Sequence, residues 1–322
     1  MMELSRRKVL VTFTTLGLAS SLLVGFTYFG SFLYSEVYKF ILSQEAGGLR
    51  RLSWLFESPW TDMLVQYFLA MGIAYIPVYL MLCWLPKDRK PLMKLSAEDF
   101  IVCAVASLGL GYLLNFAGTF LNAVIGQFTG KSLLEMNPVV EMTEALTPSM
   151  LLYMCVVGPV MEEVMFRGWL LKRARVFGDW TAVLYTAILF GLMHGNLSQF
   201  LYAAVIGLIF GYVAVKTNSI RYTIGLHMVV NTFSATVAVG ENLIYETGGE
   251  LLSILYLIGV FITILFFIVN ACIVVKRYGK YWYLQMRYHD SPQSDNKIFI
   301  YLNPGFALYL LICFVDFLSY LI

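Results

Sequence analysis

Charged residues are scarce in this sequence of 322 residues. They make up 13% of the chain and hydrophobic residues 59%, whereas an ordinary soluble domain has about 25% and about 45–50%, respectively. A soluble fold has too little interior to bury this much apolar surface. Because apolar runs long enough to cross a bilayer also recur along the whole chain, the sequence predicts an integral membrane protein.

Cysteine patterns typical of disulfide frameworks or zinc knots are also lacking. The five cysteines lie inside or beside apolar runs without C-x-x-C spacing, so we interpret them as small core residues. The net charge is only +2, and no block of Lys and Arg carries interleaved aromatics, so no nucleic-acid partner is expected. The apolar run after Lys8 is longer than a signal-peptide core of about 7–15 residues, which predicts a retained first span.

Apolar runs of roughly 17–25 residues predict nine membrane-spanning helices. No internal repeat or linker divides the chain, so we expect a single membrane domain over residues 1–322. Residues 1–149 would hold N-terminal spans and outer loops, 150–240 the core with the polar motifs, and 241–322 the C-terminal spans. The predicted spans lie near residues 9–33, 63–85, 100–128, 150–171, 180–196, 199–216, 220–239, 252–275 and 305–322.

The basic residues provide an independent test of this topology. Lys and Arg are retained in cytoplasmic loops and are sparse on the translocated side. In this sequence, loops rich and poor in Lys and Arg alternate when the N-terminus is placed in the cytoplasm. The sequence therefore predicts an all-α, multi-pass protein of the cell membrane with a cytoplasmic N-terminus.

Few ionisable side chains interrupt the predicted core spans, and one of them, a histidine, has an asparagine four residues further on. A charge at the centre of a span costs roughly 2.5–3.5 kcal/mol on insertion scales, so such residues usually face a protein interior or a water-filled cavity. The set comprises Glu162, Glu163 and Arg167 in the fourth span, His194 in the fifth, and His227 and Asn231 in the seventh.

Helical spacing groups these side chains into pairs. Glu163 and Arg167 are i,i+4 neighbours, which predicts an ion pair that offsets part of the cost of burying charge. Glu162 points about 100° away from Glu163 and is available to a different partner. His227 and Asn231 are also i,i+4 neighbours, so one lies above the other on the same helix face.

Straight, centred helices would keep the two span histidines apart. His194 would lie towards the outer leaflet and His227 towards the inner one, roughly 15 Å apart at about 1.5 Å per residue. A shared site therefore requires the fifth helix to begin deep in the membrane, or the spans to tilt and break near Gly178 and Gly195. Phe190 precedes His194 by four residues and shares its helix face.

These residue types support hydrolysis. A buried carboxylate acts as a general base on water, a neutral imidazole shares that water, and a second His with an Asn donates hydrogen bonds to an oxyanion. Alternatively, Glu162, His194 and His227 would form a zinc site with an open position for water. The same side chains would also suit an internal salt bridge or the relay of a proton-coupled transporter, although no inverted repeat supports a transporter.

Three motifs, taken in order, resemble one known family. E-E-x-x-x-R, F-x-x-x-H and H-x-x-x-N follow one another between Leu151 and Ala238. This order is similar to that of the CPBP family of membrane endopeptidases (CAAX-protease and bacteriocin-processing, Abi/Rce1-like). The resemblance implies an intramembrane endopeptidase, in a family that includes prenyl-protein proteases, peptide-maturation or immunity proteins, and scaffolds without known proteolysis.

The resemblance also implies roles for individual residues. Glu162 with His194 would activate the water, and His227 with Asn231 would form the oxyanion site. The supporting residues would be Glu163, Arg167 and Phe190. No cofactor is firmly implied, but a metalloprotease reading would place one zinc ion on Glu162, His194 and His227.

The expected partners are the lipid bilayer, a peptide or membrane-protein substrate, and a further membrane protein. The spans outside the motifs would select that substrate or partner. The alternative function is a scaffold or regulator of another membrane enzyme, which would use the same fold without requiring proteolysis.

Overall fold

The computed structural model describes residues 6–44, 48–88, 90–132, 135–136, 147–288 and 296–321. These residues form helices joined by turns and contain no strand, which confirms the predicted all-α class. Short helical turns cover Gly48–Ser53, Trp54–Glu57 and Lys297–Ile300. The longer helices are α1 (Arg6–Leu42), α2 (Pro59–Leu82), α3 (Ala97–Thr129), α4 (Pro148–Phe177), α5 (Asp179–Leu192), α6 (Leu197–Thr217), α7 (Arg221–Tyr288) and α8 (Pro304–Leu321).

Five helices of the described ranges are long and apolar enough to cross a membrane, and three shorter apolar helices accompany them. The protein is therefore a multi-pass membrane protein, while the count of nine spans stays a prediction. Helix α1 continues to Leu42, beyond the first predicted span near residues 9–33, whose membrane boundary stays a prediction. The side chains after residue 33 are less apolar, but the backbone hydrogen bonds of the helix continue through them.

Helix α7 contains a reversal of the chain. Gly249 has φ 71° and ψ −174°, a conformation outside the helical region that favours glycine. The hydroxyl of Tyr256 donates to the carbonyl of Thr236 at 3.3 Å, which requires the segments before and after Gly249 to run side by side. We call residues 221–248 the first arm of α7 and residues 250–288 its second arm. They correspond to the predicted seventh and eighth spans.

The loops around Lys87, Lys172 and Lys216, which their basic residues predict to be cytoplasmic, meet at one end of the molecule, which we call the basic end. The backbone N–H of Asp88, after α2, donates to the carbonyl of Lys172 in α4 at 2.8 Å. The N–H of Met93 donates to the carbonyl of Thr217, at the end of α6, also at 2.8 Å. These contacts agree with the alternation of basic and non-basic loops predicted from the sequence.

Glycine residues allow α8 to approach α1 closely. A Cβ atom on Gly305 would lie 1.9 Å from the carbonyl oxygen of Thr14, and one on Gly17 would lie 2.3 Å from the carbonyl carbon of Gly305. Small residues at such crossings give membrane helices their van der Waals contact. The two helices are therefore held together by backbone-to-backbone packing.

Replacing Gly305 by alanine is expected to lower the free energy of unfolding by about 1–3 kcal/mol, because the added methyl group overlaps the backbone of α1. The matched control is Gly25→Ala in α1, where an added Cβ meets nothing within 4 Å. That variant should match the wild type or exceed it slightly, since alanine favours a helix over glycine. Thermal unfolding of the purified protein in detergent compares them, and equal stability of the two variants would contradict this packing.

Candidate functional site

Helix α4 is not a regular α-helix. Two π-helical turns, Tyr153–Val157 and Val164–Leu170, flank the α-helical segment Gly158–Glu163 that carries both carboxylates. Pro159 lies in that segment and has no N–H to donate to the preceding turn. Wider turns of this kind are frequent at functional sites. They redirect the side chains that follow, so the regular period of an α-helix does not fix where those side chains point.

His194 lies in the turn between α5 and α6. Helix α5 follows Gly178, at φ 125°, and ends at Leu192, three residues before Gly195, at φ 65°. The side-chain amide of Asn196 donates to the carbonyl of His194 at 2.8 Å, which fixes the turn. The chain therefore breaks near Gly178 and Gly195, which is the condition that the sequence analysis set for His194 and His227 to share a site.

Glu163 lies at the centre of a buried network. Its Oε1 accepts hydrogen bonds from Nη1 of Arg167 at 2.8 Å and from Nδ1 of His227 at 3.1 Å. The side chains of Glu163 and Arg167 are 0% and 1% exposed, and the guanidinium of Arg167 lies 4.4 Å from the ring centre of Phe190. The predicted Glu163–Arg167 pair is confirmed. The network also orients the His227 ring, a contact that the sequence did not predict.

The other edge of the His227 ring faces Glu162. Its Nε2 lies 3.8 Å from Oε2 of Glu162, beyond the length of a direct hydrogen bond. Oε2 of Glu162 is buried and has no hydrogen-bond partner among the described residues. Buried polar atoms are normally satisfied, and an exception in a native site often has a catalytic role or holds a water molecule.

His194 and Asn231 are both tied to neighbouring backbone. Nδ1 of His194 makes a hydrogen bond with the carbonyl of Phe190 at 2.9 Å, which leaves Nε2 of that ring available. The Phe190 ring meets His194 and His227 edge to face, with ring centres 5.1 and 5.9 Å apart. Nδ2 of Asn231 donates to the carbonyl of Met154 at 2.8 Å and joins the first arm of α7 to the π-helical turn of α4.

A single cavity of about 380 Å³ brings the four candidate catalytic residues together. Helices α3, α4, α5, α6 and the first arm of α7 form its walls. Glu162, His194, His227 and Asn231 all line it, and Phe190 does as well. The structure thus gathers side chains that straight helices would separate, while the roles predicted for them remain predictions.

Two walls of this cavity carry residues that the sequence analysis missed. Helix α3 contributes Ser107, Tyr112 and Asn115, and α6 contributes Gln199 and Tyr202. Nε2 of Gln199 donates to the hydroxyl of Tyr202 at 3.1 Å. Asn115 and Gln199 are uncharged polar residues within apolar runs, a signal that is lost when only ionisable residues are sought in the spans.

The three residues named for a zinc site do not form a compact ligand set. Within the part of the chain that the structure describes, no three His, Cys, Asp or Glu side chains are placed to hold a metal ion together. Nδ1 of His227 is bonded to Glu163, so only Nε2 of that ring could hold a metal ion. The residues Glu162, His194 and His227 line the cavity but, as placed, do not fit a zinc ion.

Comparisons with known proteins identify the part of the chain that carries this site. Residues 144–233 match the family model described as "Type II CAAX prenyl endopeptidase Rce1-like". The Bacillus subtilis (strain 168) protein named "Putative membrane peptidase YdiL" is 27% identical over 141 residues, which cover 39% of this chain and 56% of that protein. No solved structure matches the chain significantly. Residues 144–233 of this membrane protein therefore match an Rce1-like family model, and the resemblance to the CPBP family that the three motifs predicted is confirmed.

Proposed function

We propose that this protein is an intramembrane endopeptidase that hydrolyses a peptide or membrane-protein substrate in the cavity between α3 and α7. The observation that carries the proposal is Glu162, which lines the cavity and has a buried oxygen without a hydrogen-bond partner in the described structure. A carboxylate placed in this way can act as general base on a bound water. Two imidazoles and an amide on the same cavity supply the other groups that peptide hydrolysis needs.

The proposed reaction begins with a water molecule between Glu162 and His194. Glu162 takes one proton from the water as the water oxygen bonds to the carbonyl carbon of the substrate. Nε2 of His194 orients the water, since Nδ1 is held by the Phe190 carbonyl at 2.9 Å. The C–N bond then breaks as Glu162 returns the proton to the leaving nitrogen, which yields a carboxylic acid and an amine.

His227 and Asn231 are proposed to stabilise the negative charge that develops on the carbonyl oxygen. The bond from Nδ1 to Glu163 holds the His227 ring, and Nε2 donates to the oxyanion when both ring nitrogens carry protons. Asn231 uses one amide hydrogen on the Met154 carbonyl and has a second to offer. Each preorganised donor of this kind is worth about 10²–10³ in rate.

A comparison of peptidomes identifies the substrate and tests the proposal. Cells that express the wild type are compared with cells that express Glu162→Ala or His194→Ala, and the purified proteins are then given the peptides that differ. The wild type is expected to cleave them and the two variants to fail. The control Glu250→Gln changes an exposed glutamate of α7 and should cleave as the wild type does. Equal cleavage by all four proteins would end the assignment.

A scaffold would show a different phenotype. The double variant Glu162→Ala/His194→Ala, expressed at the normal level in a deletion strain, is expected to leave every proteolysis-dependent function unrestored. If it restores every function of the deleted protein, catalysis is dispensable and the scaffold alternative replaces the endopeptidase.

Removing metal ions is expected to leave cleavage unchanged, because the side chains around the cavity do not form a zinc ligand set. Purified protein is treated with a chelator, its metal content is checked by elemental analysis, and its rate is compared with that of untreated protein. A rate that disappears with the metal and returns when zinc is added would overturn the metal-free mechanism.

A further inference from the structure

A second cavity, of about 540 Å³, lies at the basic end and shares no lining residue with the candidate active site. It lies between the end of α2, the last turns of α4 and the start of α7. Three basic side chains and three apolar or aromatic ones define its character: Lys87, Lys172, Arg173, Tyr79, Trp169 and Ile220.

The positive charge of this cavity is not neutralised by the described carboxylates. Arg173 donates from Nε to the carbonyl of Leu82 at 2.6 Å and from Nη1 to the carbonyl of Trp169 at 2.9 Å, so the charge is held in place by neutral acceptors. Asp88 is the acidic residue among those lining the cavity. This single carboxylate faces three cations of the lining, and its Oδ2 also lies 3.2 Å from Nε of Arg175 and 3.8 Å from Nζ of Lys90, two cations outside the cavity.

The cations lie at the rim of a space that continues into the apolar part of the helices. On α4, Gly168 and Val164 also line the cavity. They precede Lys172 by four and eight residues along α4. The rings of Tyr79 and Trp169 are 5.1 Å apart and have the amphipathic character of residues at a membrane interface.

We propose that this cavity binds the phosphoryl headgroup of an anionic phospholipid. Lys87, Lys172 and Arg173 would contact the phosphate oxygens, and an acyl chain would follow Tyr79 and Trp169 towards the bilayer. Basic pockets between membrane helices recognise anionic headgroups in this way. A free phosphate ion carries the same charged group, but it has no apolar part to pack against the apolar wall of the cavity. The shape of the cavity therefore favours the lipid. This proposal does not depend on the endopeptidase reaction.

Native mass spectrometry of the full-length protein in detergent tests the proposal with three probes: phosphatidylglycerol, phosphatidylcholine and inorganic phosphate. The wild type is expected to retain phosphatidylglycerol in preference to phosphatidylcholine. Lys87→Gln/Lys172→Gln is expected to weaken that retention by about 30-fold, from the contribution of two basic residues near an anionic headgroup. Arg173 is left intact because its bond to the Leu82 carbonyl also joins α4 to α2.

The matched control is Lys276→Gln/Lys280→Gln, which removes the same charge from exposed positions on the second arm of α7 and should bind as the wild type does. Thermal unfolding midpoints of the variants show that a loss of binding is not a loss of fold. Equal retention of phosphatidylglycerol by the wild type and the Lys87/Lys172 variant would overturn the proposal. So would equal retention of the two lipids, or binding of inorganic phosphate without binding of phosphatidylglycerol.

Discussion

Replacing Glu162 by glutamine is expected to lower the single-turnover rate of substrate cleavage by about 10³-fold, the usual contribution of a positioned general base. Glutamine has nearly the same shape but cannot take a proton from water. Oε2 of Glu162 makes no hydrogen bond within the described structure, so the substitution removes the base without breaking a bond through that atom. The rate is measured in proteoliposomes with a substrate identified from the peptidomes.

Two further measurements separate lost chemistry from lost structure in this variant. The thermal unfolding midpoint of Glu162→Gln should stay close to that of the wild type, because Oε2 of Glu162 makes no hydrogen bond within the described structure and Nε2 of His227 lies 3.8 Å from it. Its kcat should fall far more than its KM changes, since the proton transfer occurs only in the transition state. A variant that retains more than about a tenth of the wild-type rate would show that Glu162 is not the base.

Replacing Arg167 by methionine is expected to lower the free energy of unfolding by about 3–5 kcal/mol, because the Glu163 carboxylate would stay buried without its ion-pair partner. The side chain of Glu163 is 0% exposed, so water cannot substitute for the guanidinium. The loss of the contact between Arg167 and the Phe190 ring at 4.4 Å adds to the effect. Equilibrium unfolding of the purified protein measures the change.

A double variant and a surface control make this prediction specific. Glu163→Gln/Arg167→Met removes both charges and should recover part of the stability that Arg167→Met loses, as expected of a buried pair. Lys39→Met breaks an exposed pair with Glu36, with side chains 68% and 48% exposed, and should cost no more than about 1 kcal/mol. Equal losses for Arg167→Met and Lys39→Met would contradict a buried, energetically coupled pair.

The parts of the site that depend on one helix were predictable from the sequence. The Glu163–Arg167 pair follows from i,i+4 spacing within α4, and the structure confirms it at 2.8 Å. The hydrogen bond between Glu163 and His227 joins α4 to α7 across 64 positions of the sequence. The spacing of residues within one helix cannot predict such a contact. The π-helical turns of α4 escaped prediction for a related reason, since they depend on packing around the helix as well as on its own residues.

The sequence did not predict that the two histidines meet. It predicted only the condition for it, which is a break in the chain near Gly178 and Gly195. Glycine residues at 178 and 195 marked where the chain had room to break, and both have positive φ, but their presence did not fix the direction of the chain after each break. The wall formed by α3 was not foreseen, because Asn115 is uncharged and lies far from the three motifs in sequence. Residues 1–149 therefore contribute directly to the cavity through α3, whereas the division of the chain into three parts remains a prediction.

Hydrolysis by this protein alone can be followed in proteoliposomes that contain the purified chain and its substrate in water enriched in ¹⁸O. The proposed mechanism predicts that the wild type produces a fragment whose new C-terminal carboxyl group carries one ¹⁸O atom, because the attacking oxygen comes from solvent. Glu162→Gln should yield about 10³-fold less of this fragment in the same time, and Glu250→Gln should yield as much as the wild type. Equal labelled product from Glu162→Gln and the wild type would contradict the mechanism. If the wild-type protein cleaves none of the peptides that differ between the peptidomes of wild-type and variant cells, the proteolytic function itself would be contradicted.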